Sequence, residues 1–372
     1  MLPHEQTSLL VFFNLFLILM IYLTLKKSLR KPFIVLKSNY KLAKILCLIF
    51  CLFSFWGMDW FHYQESFERI KLGGFSHLED IYVWIINNLS PNYLIFRVII
   101  WGSALLLFFR ILKYVNVSKD LALLFFGVIY IIWFSYARVS LAMAIIYYAF
   151  ALLSLKEKRN KMTYILSIGL IILSFYFHKS SLFLIAVTGF VYIIRKFPKK
   201  ALLLLLISFP LIVVFVQTQI ASFMISDIDT TEGDLSSYMA SGQNYMNRES
   251  DVRGIAAIIR TFLEISPYYI VSFILYKLMR SKLISEIPND IKSFMLLQIV
   301  IVVFSSVFAF DLGANTNVLY GRFLRFAAIP TVIVLAYLYQ HKFYRKLTNC
   351  ALLLAVLGST YSLLYAFYTT LV

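Results

Sequence analysis

The sequence predicts an all-α protein that crosses a membrane many times, and three observations lead there. Of its 372 residues 61% are hydrophobic and only 14% charged, with a mean hydropathy of +0.81. That leaves too little polar surface to cover a soluble domain of this size. The apolar residues fall into runs of roughly 15–20, close to the length that crosses hydrocarbon at 1.5 Å rise per residue. Lys and Arg gather in alternate turns between those runs, so the net charge of +17 reads as a positive-inside pattern rather than as a nucleic-acid surface.

Taken in order, the apolar runs give about twelve spans: 9–25, 43–57, 93–112, 121–137, 139–155, 162–177, 181–194, 201–219, 255–277, 293–310, 323–340 and 347–370. The opening segment MLPHEQTS has no basic n-region, so no cleavable signal is expected. The basic segment 26–44, with seven Lys/Arg, follows the first run, which places it inside on anionic lipid and both termini outside. The chain is one membrane domain over 1–372 with two substantial outer loops, 58–92 and 217–254. Cys47 and Cys51 lie in an apolar run and Cys350 near another, with neither metal spacing nor a disulfide framework, and read as small apolar residues.

The cations carry the functional argument. Eight of the 14 arginines fall on the outer side of this topology against two of the 21 lysines, namely Arg69, Arg97, Arg138, Arg248, Arg253, Arg260, Arg322 and Arg325 with Lys71 and Lys179. Topological noise would leak both residue types alike. Arginine is the one that grips phosphate oxygens as a fork and keeps its charge when partly desolvated. Arg97, Arg138, Lys179, Arg253 and Arg322 each sit at or just before the outer N-terminal end of an inward-running helix. A cation there opposes the macrodipole, but together with the open N–H groups it makes an anion site. The competing role for any one of them is an interfacial anchor.

The stretch Tyr136 to Leu182 concentrates these features. An arginine opens one apolar helix, KEKRNK turns the chain, and a second helix ends in His-Lys-Ser-Ser, so Arg138 and His178 face the same side. Arg138 is a candidate diphosphate ligand, and Arg322 with Arg325, three apart in GRFLRF, would share a helix face to grip one phosphate. His178 is a candidate base or hydrogen-bonding group, with Lys179 beside it favouring the neutral form that accepts a proton; its other role is that of an amphipathic residue at the membrane surface. Asp59 is the leading carboxylate base, and otherwise a helix N-cap. Asp59, Tyr63 and Phe67 recur every four residues, so a helix puts them on one face. Arg260 and Glu264, also four apart, pair within their span, with Glu264 a secondary acid or base. Asp227 and Asp229 mimic a metal-holding DxD in an acidic loop, a weak signal for an outer-face enzyme. Walker, HExxH, GxSxG and Rossmann fingerprints are absent from the sequence.

These residues form a resemblance. Arg138 before a small-residue helix with Ala142, the Lys/Arg turn and the FHKSSL of Phe177 to Leu182 resemble the EpsG family of bacterial membrane glycan polymerases, relatives in role of Wzy O-antigen polymerases. The outer loop adds G-x-D-x-x-x-Y-x-x-x-F at Gly57, Asp59, Tyr63 and Phe67. One departure is Val139, where the family pattern has a polar Gln after the Arg. The resemblance implies a GT-C-like glycosyltransferase architecture in the bacterial cytoplasmic membrane. Its implied activity is the joining of polyprenyl-diphosphate-linked oligosaccharide repeat units at the outer face. In that setting Arg138, Arg322, Arg325, Arg97 and Arg253 hold the diphosphate, Tyr63, Lys179 and Ser180 the sugar, and Asp59 or His178 takes the acceptor proton. No cofactor or metal is called for. Partners are the lipid-linked oligosaccharide and membrane lipids, with a chain-length regulator and flippase of the same pathway as candidates and no nucleic acid. The alternatives are a flippase for the same glycan and a membrane O-acyltransferase. A flippase should carry cations down the middle of its helices rather than at one face, and an acyltransferase would need a polar route for its donor across the bundle.

Overall fold

The computed structural model describes residues 45, 58–74, 78, 80–130, 137–154, 160–178, 181–195, 255–307 and 323–371. Within them every regular element is helical. Among the described residues three helices are long and apolar enough to cross a membrane, over Tyr93–Ile111, Thr261–Arg280 and Asn289–Ser306, and shorter apolar helices cover Arg138–Ser154, Lys161–Phe177, Ser181–Ile194 and Arg325–Gln340.

The loop expected over 58–92 is itself two helices. α1 (Met58–Lys71) is amphipathic: Tyr63, Phe67 and Ile70 are buried at spacings of four and three, while Glu65, Glu68, Arg69 and Lys71 face out. Burying Phe67 and Ile70 contributes about 1.5–3 kcal/mol each, enough to seat so short a helix. Its end is fixed by LGG. Gly73 takes the left-handed region at φ 77°, its N–H bonds the Ile70 carbonyl at 2.9 Å, and Gly74 N–H reaches back to the Arg69 carbonyl at 2.9 Å. That pair of bonds is a Schellman stop. α2 (Asp80–Leu89) follows with Tyr82, Ile85 and Ile86 buried beneath it.

α3 (Tyr93–Ile111) starts where the Asn92 side chain accepts the Ile95 N–H at 3.0 Å. α4 (Lys119–Phe125) starts on the Ser118 hydroxyl and runs without a break into a π-helical turn, Phe126–Tyr130. α5 (Ala137–Ser154), α6 (Lys161–Phe177) and α7 (Ser181–Ile194) form an antiparallel series, close to the spans read at 139–155, 162–177 and 181–194. α8 (Ile255–Arg280) and α9 (Asn289–Val307) are joined through a 3-10 turn at Lys282–Ser285. A second 3-10 turn, Arg325–Ala327, leads into α10 (Ala328–Gln340), and α11 (Arg345–Leu371) packs along α8.

Tertiary bonds sort the helix ends into two groups. Asn116 N–H donates to the Asp290 carboxylate, Ser118 N–H to the Gln340 side chain at 2.8 Å, and Arg195 Nη1 to the Ser154 carbonyl at 2.8 Å. Phe150 meets Phe294 edge-on at 6.0 Å, which joins these turns into one end. Among the described residues every lysine except Lys71 belongs to that end or the last turns leading to it. The opposite end carries α1, α2, Arg97, Arg138, His178 and Arg325. α6 turns an almost continuous apolar face outward, including Met162, Ile165, Ile168, Ile172 and Tyr176, as a helix against lipid does.

Candidate functional site

The arginine-bearing end is built on aromatic rings. Arg138 is the second residue of α5 and half-buried, and its Nε donates to the Tyr63 hydroxyl of α1 at 3.3 Å, with Cζ 6.0 Å from the Tyr63 ring centroid. Tyr63 packs edge-on to Trp101 of α3 at 6.2 Å, and Trp101 in turn carries Arg97, whose Cζ stands 5.1 Å from the indole centroid. Arg97 and Trp101 are four apart on one helix, which is what lets the guanidinium fold back over the ring. Three segments distant in sequence thus meet in the order Arg138, Tyr63, Trp101, Arg97.

An aromatic floor supports this array. Phe67 contacts Tyr93 at 5.7 Å and Phe96 at 6.0 Å, and Tyr82 of α2 contacts Phe96 at 6.4 Å and Phe177 of α6 at 5.6 Å. Phe177 is followed by His178, the C-cap of α6, with extended backbone at φ −166° and ψ 120°. The His178 N–H bonds the Ser174 carbonyl at 3.0 Å, and its own carbonyl accepts the Ser181 N–H at 2.9 Å. His178 is therefore the pivot of the turn between α6 and α7, half-buried at the same end as Arg138. Asp59 falls in the first turn of α1, one turn before Tyr63.

The two guanidiniums differ in access. Arg97 is 2% exposed, so its charge acts as a fixed field beneath the site; Arg138 is the one a ligand can touch. Rings flank both, and a positive potential walled by rings suits an anion with two or more charged oxygens.

Arg325 sits elsewhere. It opens the 3-10 turn before α10, where Phe183 of α7 lies 4.4 Å from Phe323 and 5.8 Å from Phe326, and Tyr147 donates to the Phe326 carbonyl. Tyr147 and Arg138 are nine residues apart on α5, half a turn out of phase, so the Arg325 segment packs on the opposite face of that helix from Tyr63. Arg253, Lys179, Ser180 and Arg322 lie outside the described residues, as do the segment 217–254 and its Asp227 and Asp229. Glu264 is half-buried on α8, one turn after Arg260. Among the described residues no cluster of His, Cys, Asp or Glu has the makings of a metal site. Sequence reading singled out Arg97, Arg138 and Tyr63 but passed over Trp101, the ring between them; the four-residue spacing from Arg97 was its signal.

Fold and site together define an α-helical integral membrane protein with an arginine and aromatic site at one end of its helices. The chain belongs to the EpsG family, which matches residues 38–372 and comprises Wzy-type, exopolysaccharide polymerase-like membrane proteins. That membership places it in polysaccharide biosynthesis. No curated protein and no solved structure matches it.

Proposed function

We propose that this protein is a glycosyltransferase that polymerises polyprenyl-diphosphate-linked oligosaccharide repeat units at the outer face of the bacterial cytoplasmic membrane. The observation that carries the reading is the Arg138, Tyr63, Trp101, Arg97 array, an anion site walled by rings, in a member of a polymerase-like family. About twelve spans in a GT-C-like arrangement, with both termini outside, complete the picture.

In this reaction a hydroxyl of the acceptor glycan attacks the anomeric carbon of the donor glycan. A new C–O bond forms, the bond from that carbon to the diphosphate oxygen breaks, and the polyprenyl diphosphate leaves with the electron pair. Nucleotides are scarce outside the cell, so the donor arrives already activated by its lipid diphosphate. Arg138 meets the developing negative charge directly and Arg97 through its field, while Arg253 and Arg322 serve as further diphosphate ligands; Arg325, packed on the other face of α5, is left out of this set. Charge-assisted bonds of about 1.5–3 kcal/mol each, stronger in the transition state than before it, make two or three of them significant. Asp59 or His178 takes the acceptor proton, Lys179 and Ser180 hold sugar hydroxyls, and Tyr63, whose hydroxyl accepts from Arg138, holds that guanidinium in place.

The experiment is the chain-length distribution of surface glycan in a strain lacking the gene, complemented with wild type, Arg138→Ala or Arg138→Lys. The deletion should leave single repeat units on the surface, wild type should restore the ladder, and neither variant should, because lysine lacks the fork. A full ladder from Arg138→Ala would sink the assignment. A deletion strain in which no repeat unit reaches the surface would replace the polymerase with a flippase.

A further inference from the structure

The two faces of α2 meet different surroundings. Tyr82, Ile85 and Ile86 are buried, and Tyr82 touches Phe96 and Phe177, so the helix lies against the arginine and aromatic site. Asp80, Trp84, Asn87 and Asn88 are exposed, and their spacing puts them on one stripe of the other face. Trp84 is 56% exposed. A tryptophan of the membrane–water belt shares its helix face with apolar, lipid-facing neighbours. The stripe around Trp84 instead carries a carboxylate and two carboxamides, which suit water and hydroxyl groups. Asn88 Nδ2 donates to the Trp84 main-chain carbonyl at 2.9 Å, which holds that carboxamide against the helix one turn on from Trp84 and leaves Oδ1 as an acceptor.

An exposed indole flanked by carboxamides has the chemistry that recognises a pyranose. The apolar C–H face of the sugar stacks on the ring while its hydroxyls pair with amide and carboxylate oxygens. We infer that the exposed face of α2 is a glycan subsite, with Trp84 as its platform and Asp80, Asn87 and Asn88 as its hydrogen-bonding groups. The inference rests on the polymerase reading, since the occupant is the sugar portion of a lipid-linked chain, held outside the diphosphate site. Its role is to keep the growing chain on the protein between additions, so it governs chain length more than the existence of a product.

The test complements the deletion strain with Trp84→Leu, Trp84→Phe and Asn87→Ala/Asn88→Ala, reading the glycan ladder beside the amount of protein in the membrane. Trp84→Leu, which keeps the apolar bulk and removes the ring, is expected to shorten the chains while its membrane level holds, the double asparagine variant to shorten them too, and Trp84→Phe to recover much of the length. In parallel, full-length protein in nanodiscs is titrated with the free oligosaccharide released from the strain's own glycan by mild acid. Affinity should fall about tenfold in Trp84→Leu, the loss of one good stacking contact. Wild-type chain length or affinity in Trp84→Leu overturns the inference, and so does a loss of Trp84→Leu protein from the membrane, the mark of a belt tryptophan. A wild-type complement that yields no ladder fails the polymerase reading itself and is recognised because the variants then have nothing to shorten.

Discussion

Gln298 shows what one polar side chain does at depth. It is fully buried in the middle of α9, where Nε2 donates to the Tyr268 carbonyl at 3.2 Å and the Ser272 hydroxyl at 3.5 Å, and Oε1 accepts from the Thr331 hydroxyl. One side chain thus pins α8, α9 and α10 to each other. Gln298→Leu leaves the Thr331 hydroxyl without its partner and should lower stability by about 1 kcal/mol, whereas adding Thr331→Val should recover part of the loss, because removing both partners avoids an unsatisfied group. The apparent unfolding temperature in one detergent reads both; equal loss in single and double variants would show that packing, not pairing, is at stake. In the sequence Gln298 is a lone polar letter in an apolar run. Its partners lie 26 to 33 positions away, and that pairing is made only by the fold. Arg138 is the contrary case, since an arginine at the head of an apolar run is conspicuous from the run alone.

Helix pairing adds a second device. Pro267 stands inside α8 and has no N–H to give the Leu263 carbonyl one turn earlier, which interrupts the ladder. α11 settles on that interruption: a Cβ built on Gly358 would stand 2.8 Å from the Leu263 oxygen and 3.0 Å from its carbon. Both atoms are backbone and cannot swing aside. Gly358→Ala should therefore push α8 and α11 apart at a cost of about 1–3 kcal/mol. The same thermal assay checks it, and an unchanged unfolding temperature would mean the helices already have room. Element positions were legible where hydrophobicity changes sharply, as at Ser181–Ile194, whose bounds match the run 181–194. α1 was only half legible: the four-residue recurrence of Asp59, Tyr63 and Phe67 marked a helical face, but within a stretch read as an outer loop. The π-helical turn Phe126–Tyr130 was not legible, because it differs from an α-helix in hydrogen bonding and leaves the apolar pattern unchanged.

At the scale of the whole molecule, the described lysines, Lys71 apart, gather at one end of the helices, and tertiary bonds hold that end together. Which end faces outward is a matter of labelling. In a background with Cys47, Cys51 and Cys350 replaced, Leu72→Cys at the arginine end should react with an impermeant maleimide on intact spheroplasts, and Lys113→Cys should react only after lysis. Both positions are exposed. The reverse pattern would put the site in the cytoplasm and undo the outer-face mechanism. Composition made the helical, membrane character readable, since a bilayer imposes one solvent rule on every span. The assembly of Arg138, Tyr63, Trp101 and Arg97 was only half readable, because its arginines announce themselves while the packing of α1 against α3 and α5 depends on the whole fold.

The bond from Arg195 to the Ser154 carbonyl also sets a clock on synthesis. It joins residues 41 apart, so α5 cannot receive this cap on its C-terminal end until a further helical hairpin has left the ribosome. At about 5–20 residues per second that is a delay of roughly 2–8 s. During it α6 and then α7 emerge, and the arrival of Arg195 after α7 closes the three helices into one unit.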